Sequence, residues 1–252
     1  MIWMLILSFK PGYKIVANPW SLPHHLHFEN YTNAWTTAHL GHDFGNSILV
    51  TIGTLIVLMP IGAMAAYVLA RYPFKGSQLI FGTILGGMMF PFFLVMVPLF
   101  MLMNQLHLYD TKSGLILVYI AYSLSFTIFV LYGFFQTLPH ELAEASMLDG
   151  CNHHSVFWKV MLPLARPGMI VVAVFNAIGL WNEYALALVL VPSQANHTLP
   201  LGIADLASTQ QYQSDWGALF AGLVIVILPV LIVYWILRDR IHDTMLAGAV
   251  KG

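Results

Sequence analysis

Long intervals without a charged side chain dominate this chain. None occurs across positions 44–70, 77–103, 113–137 or 216–237, and 168–190 is broken only by Glu183. A helix rising 1.5 Å per residue needs ~20 apolar residues to cross a ~30 Å hydrocarbon core, so each interval predicts one membrane span. A transmembrane barrel would show ~10-residue segments of alternating character instead. The expectation is an all-α, polytopic transmembrane bundle forming one domain over 1–252, with five full spans. Residues 1–9 are apolar but reach only ~13 Å as a helix. They are expected to be the outer end of a truncated first span, followed by an external segment over 10–43. No basic stretch precedes them, as a signal peptide would require.

Composition points to the same solvent. The 252 residues are 59% apolar and 8% charged, against ~25% charged in soluble domains. Ten basic and eleven acidic residues, a formal net charge of −1, cannot clothe a soluble surface and leave no basic footprint for nucleic acid. A single cysteine, Cys151, excludes an intrachain disulfide framework or a cysteine-based metal site. The basic residues also set topology. Arg71, Lys75, Lys159, Arg166, Arg238, Arg240 and Lys251 fall on one side of the predicted spans, and Lys10, Lys14 and Lys112 on the other. The positive-inside rule places the segment 138–166 and the C-terminus in the cytoplasm of a multi-pass plasma-membrane protein.

Four prolines, Pro60, Pro91, Pro98 and Pro229, stand at membrane depth. Each removes a backbone donor, which lipid cannot replace, so each predicts either a packed kink or a broken helix beside a solute path. Gly86 and Gly87 loosen the same stretch as Pro91, making it the best candidate for a break. The carboxylate of Glu183 should face protein or a wet cavity. With Asn176, Trp181, Asn182 and Tyr184 it is a candidate lining of a solute pathway; an interhelical clamp or an interfacial aromatic anchor is the competing reading. The external His24, His25 and His27 have too few companions for a metal centre and read as a solvated loop. No catalytic or phosphate-binding motif occurs, so no cofactor or metal is expected in this chain, and any ATP must be bound by another.

The segment 138–166 is patterned. Pro139 suits a first helical turn, Glu141 and Glu144 follow where the helix dipole favours negative charge, and Gly150 suits a left-handed helix end. A second helix is expected from about Ser155 to Leu162, stopped by Pro163. The result is a helix–turn–helix with apolar groups and acidic charge. A protein partner accounts for both better than anionic lipid does.

These residues also resemble a known family. Glu144-Ala145-Ser146, three residues, Gly150, nine residues, then Val160-Met161-Leu162-Pro163 is similar to the EAA loop of ABC importer permeases, with Ser146 for Ala and Val160 for Ile. Asn46-Ser47, Ala66-Tyr67, the run Arg71-Tyr72-Pro73-Phe74-Lys75-Gly76, Phe90-Pro91, Val97-Pro98-Leu99-Phe100, Trp181-Asn182-Glu183-Tyr184, Thr198-Leu199-Pro200 and the terminal 248–252 extend the likeness. They resemble the second permease of maltose-type carbohydrate importers.

That resemblance implies a type I ABC importer fold with a cytoplasmic coupling helix–turn–helix. It implies a non-catalytic subunit that translocates a sugar or oligosaccharide. Its partners would be a second permease subunit, two ATPase subunits that bind ATP and Mg, an extracytoplasmic sugar-binding protein and membrane lipid. Glu141, Glu144, Ala145, Ser146, Asp149, Gly150, Leu162 and Pro163 would dock the ATPase, and the external segment 191–215 would meet the binding protein. From the residues alone, an ion-coupled secondary transporter of a small polar solute is the alternative.

Overall fold

The structure, a computed structural model, describes the backbone of residues 1–213 and 215–249, and the side chains among these outside 209–213 and 237–249. The terminal 248–252 motif and the basic residues Arg238, Arg240 and Lys251 lie outside the described side chains. Every regular element among the described residues is helical.

Three helices are each long and apolar enough to cross a membrane unbroken: Leu40–Arg71, Lys112–Thr137 and Trp216–Ile236. They match the intervals 44–70, 113–137 and 216–237. The interval 77–103 is divided into Ser77–Met88 and Phe92–Gln105, bent by 98°. Pro91 lies at that break, whereas Pro60, Pro98 and Pro229 lie inside continuous helices. A proline alone bends a helix; here two glycines with little helix propensity precede it, and the backbone turns instead. The interval 168–190 is likewise divided, into Arg166–Trp181 and Ala185–Leu190. Arg166–Trp181 also makes a pair with the preceding His153–Leu164 stretch, bent by 73°.

The chain packs as two compact units. The first comprises Met1–Thr51, Phe100–Leu115 and Trp181–Ile236. Its core gathers Ala34, Leu40, Trp181, Leu199, Ala218 and Ala221. The connections between helices here are fixed by polar clips. Lys10 is fully buried, and its ammonium donates to Asn18 O at 2.8 Å, Ser21 O at 2.9 Å and Ser21 Oγ at 3.0 Å, closing the loop that follows the Ile2–Ser8 helix. Asn46 Nδ2 donates to His197 O at 2.8 Å, and Leu199 N donates to Ser47 Oγ at 2.8 Å. Asn46-Ser47 and Thr198-Leu199-Pro200, far apart in the chain, thus meet. The segment 191–215, expected as a loop, contains the helix Leu199–Gln213.

The second unit comprises Ile52–Leu99, Ile116–Leu180 and Leu237–Gly252. Its core is built from Ala63, Ala66, Tyr67, Ile128, Leu131, Phe135, Val156, Phe157, Met161, Ala165 and Val172. Small residues let helix backbones approach, as is usual where lipid supplies no hydrophobic drive between helices. A Cβ on Gly62 would collide with Thr127 Cγ2, and one on Gly168 with the Phe134 ring.

Candidate functional site

The segment 138–166 folds into two helical arms with different burial. The first is Glu141–Leu148, which has Glu141 and Glu144 in its first turn and no buried residue. Leu148 is 89% exposed, and Leu142 and Met147 are exposed as well. Its end is a complete left-handed cap. Gly150 has φ +86°, its N–H donates to Met147 O at 3.0 Å, and Cys151 N donates to Ser146 O at 3.0 Å. These two bonds satisfy carbonyls that a helix end otherwise leaves bare.

The second arm starts at His153, two residues earlier than the sequence suggested, because Asn152 Oδ1 accepts Ser155 N–H at 2.8 Å and caps it. It continues through a π turn at Phe157–Met161 and a last helical turn, Leu162–Leu164. Pro163 therefore does not end the arm at Leu162. It sits in the first turn of the closing piece, where its missing N–H costs least. Phe157 and Met161, expected among the exposed apolar groups, are buried in the core of the second unit with Val156 and Ala165. Of the anticipated docking residues, Glu141, Glu144, Ala145, Asp149, Gly150 and Pro163 are exposed, and Ser146 and Leu162 are half-buried. The first arm is an open surface, and the second is its root.

The pathway candidates are divided between the units, Asn176 in the second and Trp181, Asn182, Glu183 and Tyr184 in the first. Asn176 is 6% exposed, and its amide donates to Thr127 Oγ1 at 2.9 Å and Val172 O at 3.1 Å, bridging two helices. Trp181 is buried; its indole N–H donates to Val226 O at 3.0 Å, and its ring meets Phe44 edge-on at 5.4 Å. That carbonyl lies in the turn preceding Pro229, next to the Ile225 carbonyl that the missing proline N–H leaves without its helical donor. Glu183 lies in the break before Ala185–Leu190, and its two carboxylate oxygens accept Leu186 N–H at 2.7 Å and Ala187 N–H at 3.1 Å. The carboxylate thus satisfies amides that a helix start leaves bare, where the dipole favours negative charge. Tyr184 is exposed.

Sequence reasoning gave no sign of a cavity of about 620 Å³ in the first unit, whose lining includes Asp43, His197, Gly202, Asp205 and Asp215. Asp43 is buried, and its Oδ1 accepts no hydrogen bond among the described residues. A Cβ on Gly202 would occupy the place of Asp43 Oδ2. His197 Nδ1 stands 3.2 Å from Asp205 Oδ2, while its Nε2 is 3.0 Å from Pro192 O. The carboxylates come from segments distant in sequence, so no spacing rule links them. Among the described residues, no group of three His, Cys, Asp or Glu side chains is gathered as a metal site.

Known proteins share much of this sequence, and a solved structure shares the fold. The chain is 47% identical to a diacetylchitobiose uptake system permease protein of Streptomyces coelicolor, over 100% of this chain and 83% of that protein. It is 34% identical to a trehalose transport system permease protein of Mycobacterium tuberculosis, over 100% of this chain and 92% of that protein. Its fold matches a chain in the crystal structure of a bacterial ABC transporter involved in the import of the acidic polysaccharide alginate. That match has a TM-score of 0.81 and 24% identity, covering 94% of this chain and 88% of the other. The match that settles membership spans residues 36–242, and on it the chain belongs to the family of binding-protein-dependent transport system inner membrane components, the permeases of ABC importers.

Proposed function

We propose that this chain is the membrane-spanning permease of an ATP-driven importer that carries a sugar or oligosaccharide delivered by an extracytoplasmic binding protein. The observation carrying the proposal is the contrast between the two arms of 138–166. An exposed helix carrying both apolar and acidic groups, Glu141–Leu148, closed by a left-handed glycine cap, stands on a root buried in the helix core. Such a surface suits insertion into a groove of another protein. In this reading the groove belongs to one of two ATPase subunits, which bind ATP and Mg; this chain binds no cofactor itself. When ATP draws the ATPases together, the root carries the displacement into the bundle, and the permease pair alternates its access by rigid-body rocking.

The same reading puts 138–166 and the C-terminus on the cytoplasmic side, in accord with the basic residues there. The segment 191–215 and its acidic cavity then face the binding protein. A sugar as cargo is supported by the relatives named for diacetylchitobiose and trehalose; neither they nor the family speak for an ion-coupled carrier. The test is Leu148→Glu, which puts charge on the most exposed apolar group of the arm. The ATPase subunit should no longer co-purify with the permease pair, and solute-stimulated ATP hydrolysis should be lost while membrane insertion is kept. An intact, stimulated complex would refute the docking role.

A further inference from the structure

The exposed arm Glu141–Leu148 is joined covalently to the rest of the second unit only through residues 138–140 on one side and 149–152 on the other. A short helix between two non-helical joints would swivel under load, and a displacement applied to it would be spent in the joints. Two consecutive residues at the end of the Leu40–Arg71 helix reach those joints. Arg71 Nη2 donates to Pro139 O at 2.9 Å, ahead of the arm. Tyr72 Oη is hydrogen-bonded to His153 Nδ1 at 2.9 Å, behind it.

Both contacts are at the exposed edge of the unit, but the residues that make them also reach inward. Arg71 Nε and Nη1 are buried and have no hydrogen-bond partner among the described residues. A guanidinium serving only as a cytoplasmic-side charge would leave those donors in water. Tyr72 in turn leads into the core. Its hydroxyl is 3.4 Å from that of Tyr67, which is 4% exposed and whose ring packs on Phe135 at 5.4 Å and Phe157 at 5.1 Å.

We infer that Arg71 and Tyr72 are positioning residues that pin both ends of the exposed arm to the Leu40–Arg71 helix, so that a displacement of the arm is delivered to that helix. The inference rests on the coupling reading proposed above, and it adds a route for the motion. Arg71 takes a carbonyl in the chain leaving the Lys112–Thr137 helix, and Tyr72 takes the first residue of the root. The two bonds tie the arm to three elements in place of two: the Lys112–Thr137 helix, the root and the Leu40–Arg71 helix.

The test uses the assembled importer, with both permeases, the ATPases and the binding protein, reconstituted in liposomes. Tyr72→Phe keeps the ring packing and the charge but removes one bond; Arg71→Gln removes the charged donor; Arg71→Lys keeps a donor for the one carbonyl. The expected result is that the ATPase stays bound and basal hydrolysis is kept. The ratio of solute-stimulated to basal hydrolysis should fall about fivefold for each bond lost, and further in the Arg71→Gln/Tyr72→Phe double variant. Arg71→Lys should recover part of the loss. Spin labels at the exposed Ala145 and Val68 should report a broader distance distribution in the double variant.

A double variant with an unchanged ratio and an unchanged distribution overturns the inference. So does a wild-type-like Arg71→Lys together with a wild-type-like Tyr72→Phe, which would leave Arg71 a charge only. Should Arg71→Gln fail to insert, Tyr72→Phe carries the test alone, since it alters neither charge nor packing. An ATPase that fails to co-purify with the unmutated permease pair would refute the docking reading instead.

Discussion

Substitutions at Gly150 isolate backbone conformation from packing. Its φ is +86°, and a Cβ built there meets nothing within 4 Å. The whole cost of an L-residue is therefore that of holding a left-handed backbone, ~1–2 kcal/mol. With tenfold in an equilibrium for each ~1.4 kcal/mol, Gly150→Ala should lower the population of the intact cap by about 5- to 30-fold. Gly150→Gln should cost the same as alanine, because the added atoms point into open space. Gly150→Asn should cost less, since asparagine enters the left-handed region more readily. Gly150→Pro should be worst, because it cannot reach positive φ and removes the N–H that bonds Met147 O. The assay is hydrogen exchange of the amides at Gly150 and Cys151, read beside solute-stimulated ATP hydrolysis in the assembled complex. Protection and stimulation should fall in the order Gly, Asn, Ala with Gln, Pro. Alanine equal to glycine, or asparagine no better than alanine, would refute the reasoning.

Gly62→Ala should lower the thermal unfolding temperature in detergent by overpacking against Thr127 Cγ2, a cost of ~1–3 kcal/mol. Thr127→Ser on that background should restore it, because serine deletes the methyl yet keeps the oxygen that Asn176 uses. Glu183→Ala should cost ~0.5–2 kcal/mol of stability by baring the Leu186 and Ala187 amides, and Glu183→Gln less, since it keeps one acceptor. Uptake by Glu183→Gln should keep its KM if the carboxylate acts only as a cap; a raised KM with unchanged unfolding would instead mark it as part of the solute path.

Periodicity and charge placement made most of the scaffold legible. The intervals 44–70, 113–137 and 216–237 became unbroken helices because backbone in lipid must satisfy itself, and helix is the local way of doing so. The break near Pro91 was readable because glycine and proline act through their own backbone. The cap at Gly150 was readable for the same reason, because glycine alone enters its left-handed conformation at no steric cost. The break at Asn182–Tyr184 was not. It depends on Glu183 folding back onto amides of the next helix, and a lone carboxylate in an apolar run states its cost but never its partner.

The chain's own order of residues thus determined that it is helical, that it belongs in a membrane, and where its exposed arm ends. Each follows from bonds and conformations that close within a few residues. The arm's start was not determined in this way: Pro139, expected in the first turn, stands in the joint ahead of Glu141. Only the tertiary structure decided that the second arm is a buried root, since Phe157 and Met161 look no different in sequence from exposed apolar residues. The same holds for Arg71 and Tyr72 reaching the joints at Pro139 and His153, and for Asp43, Gly202 and Asp205 sharing a cavity. Those arrangements depend on which helix faces lie together. Side chains distant in sequence meet there by packing, and no periodicity within one segment encodes the choice.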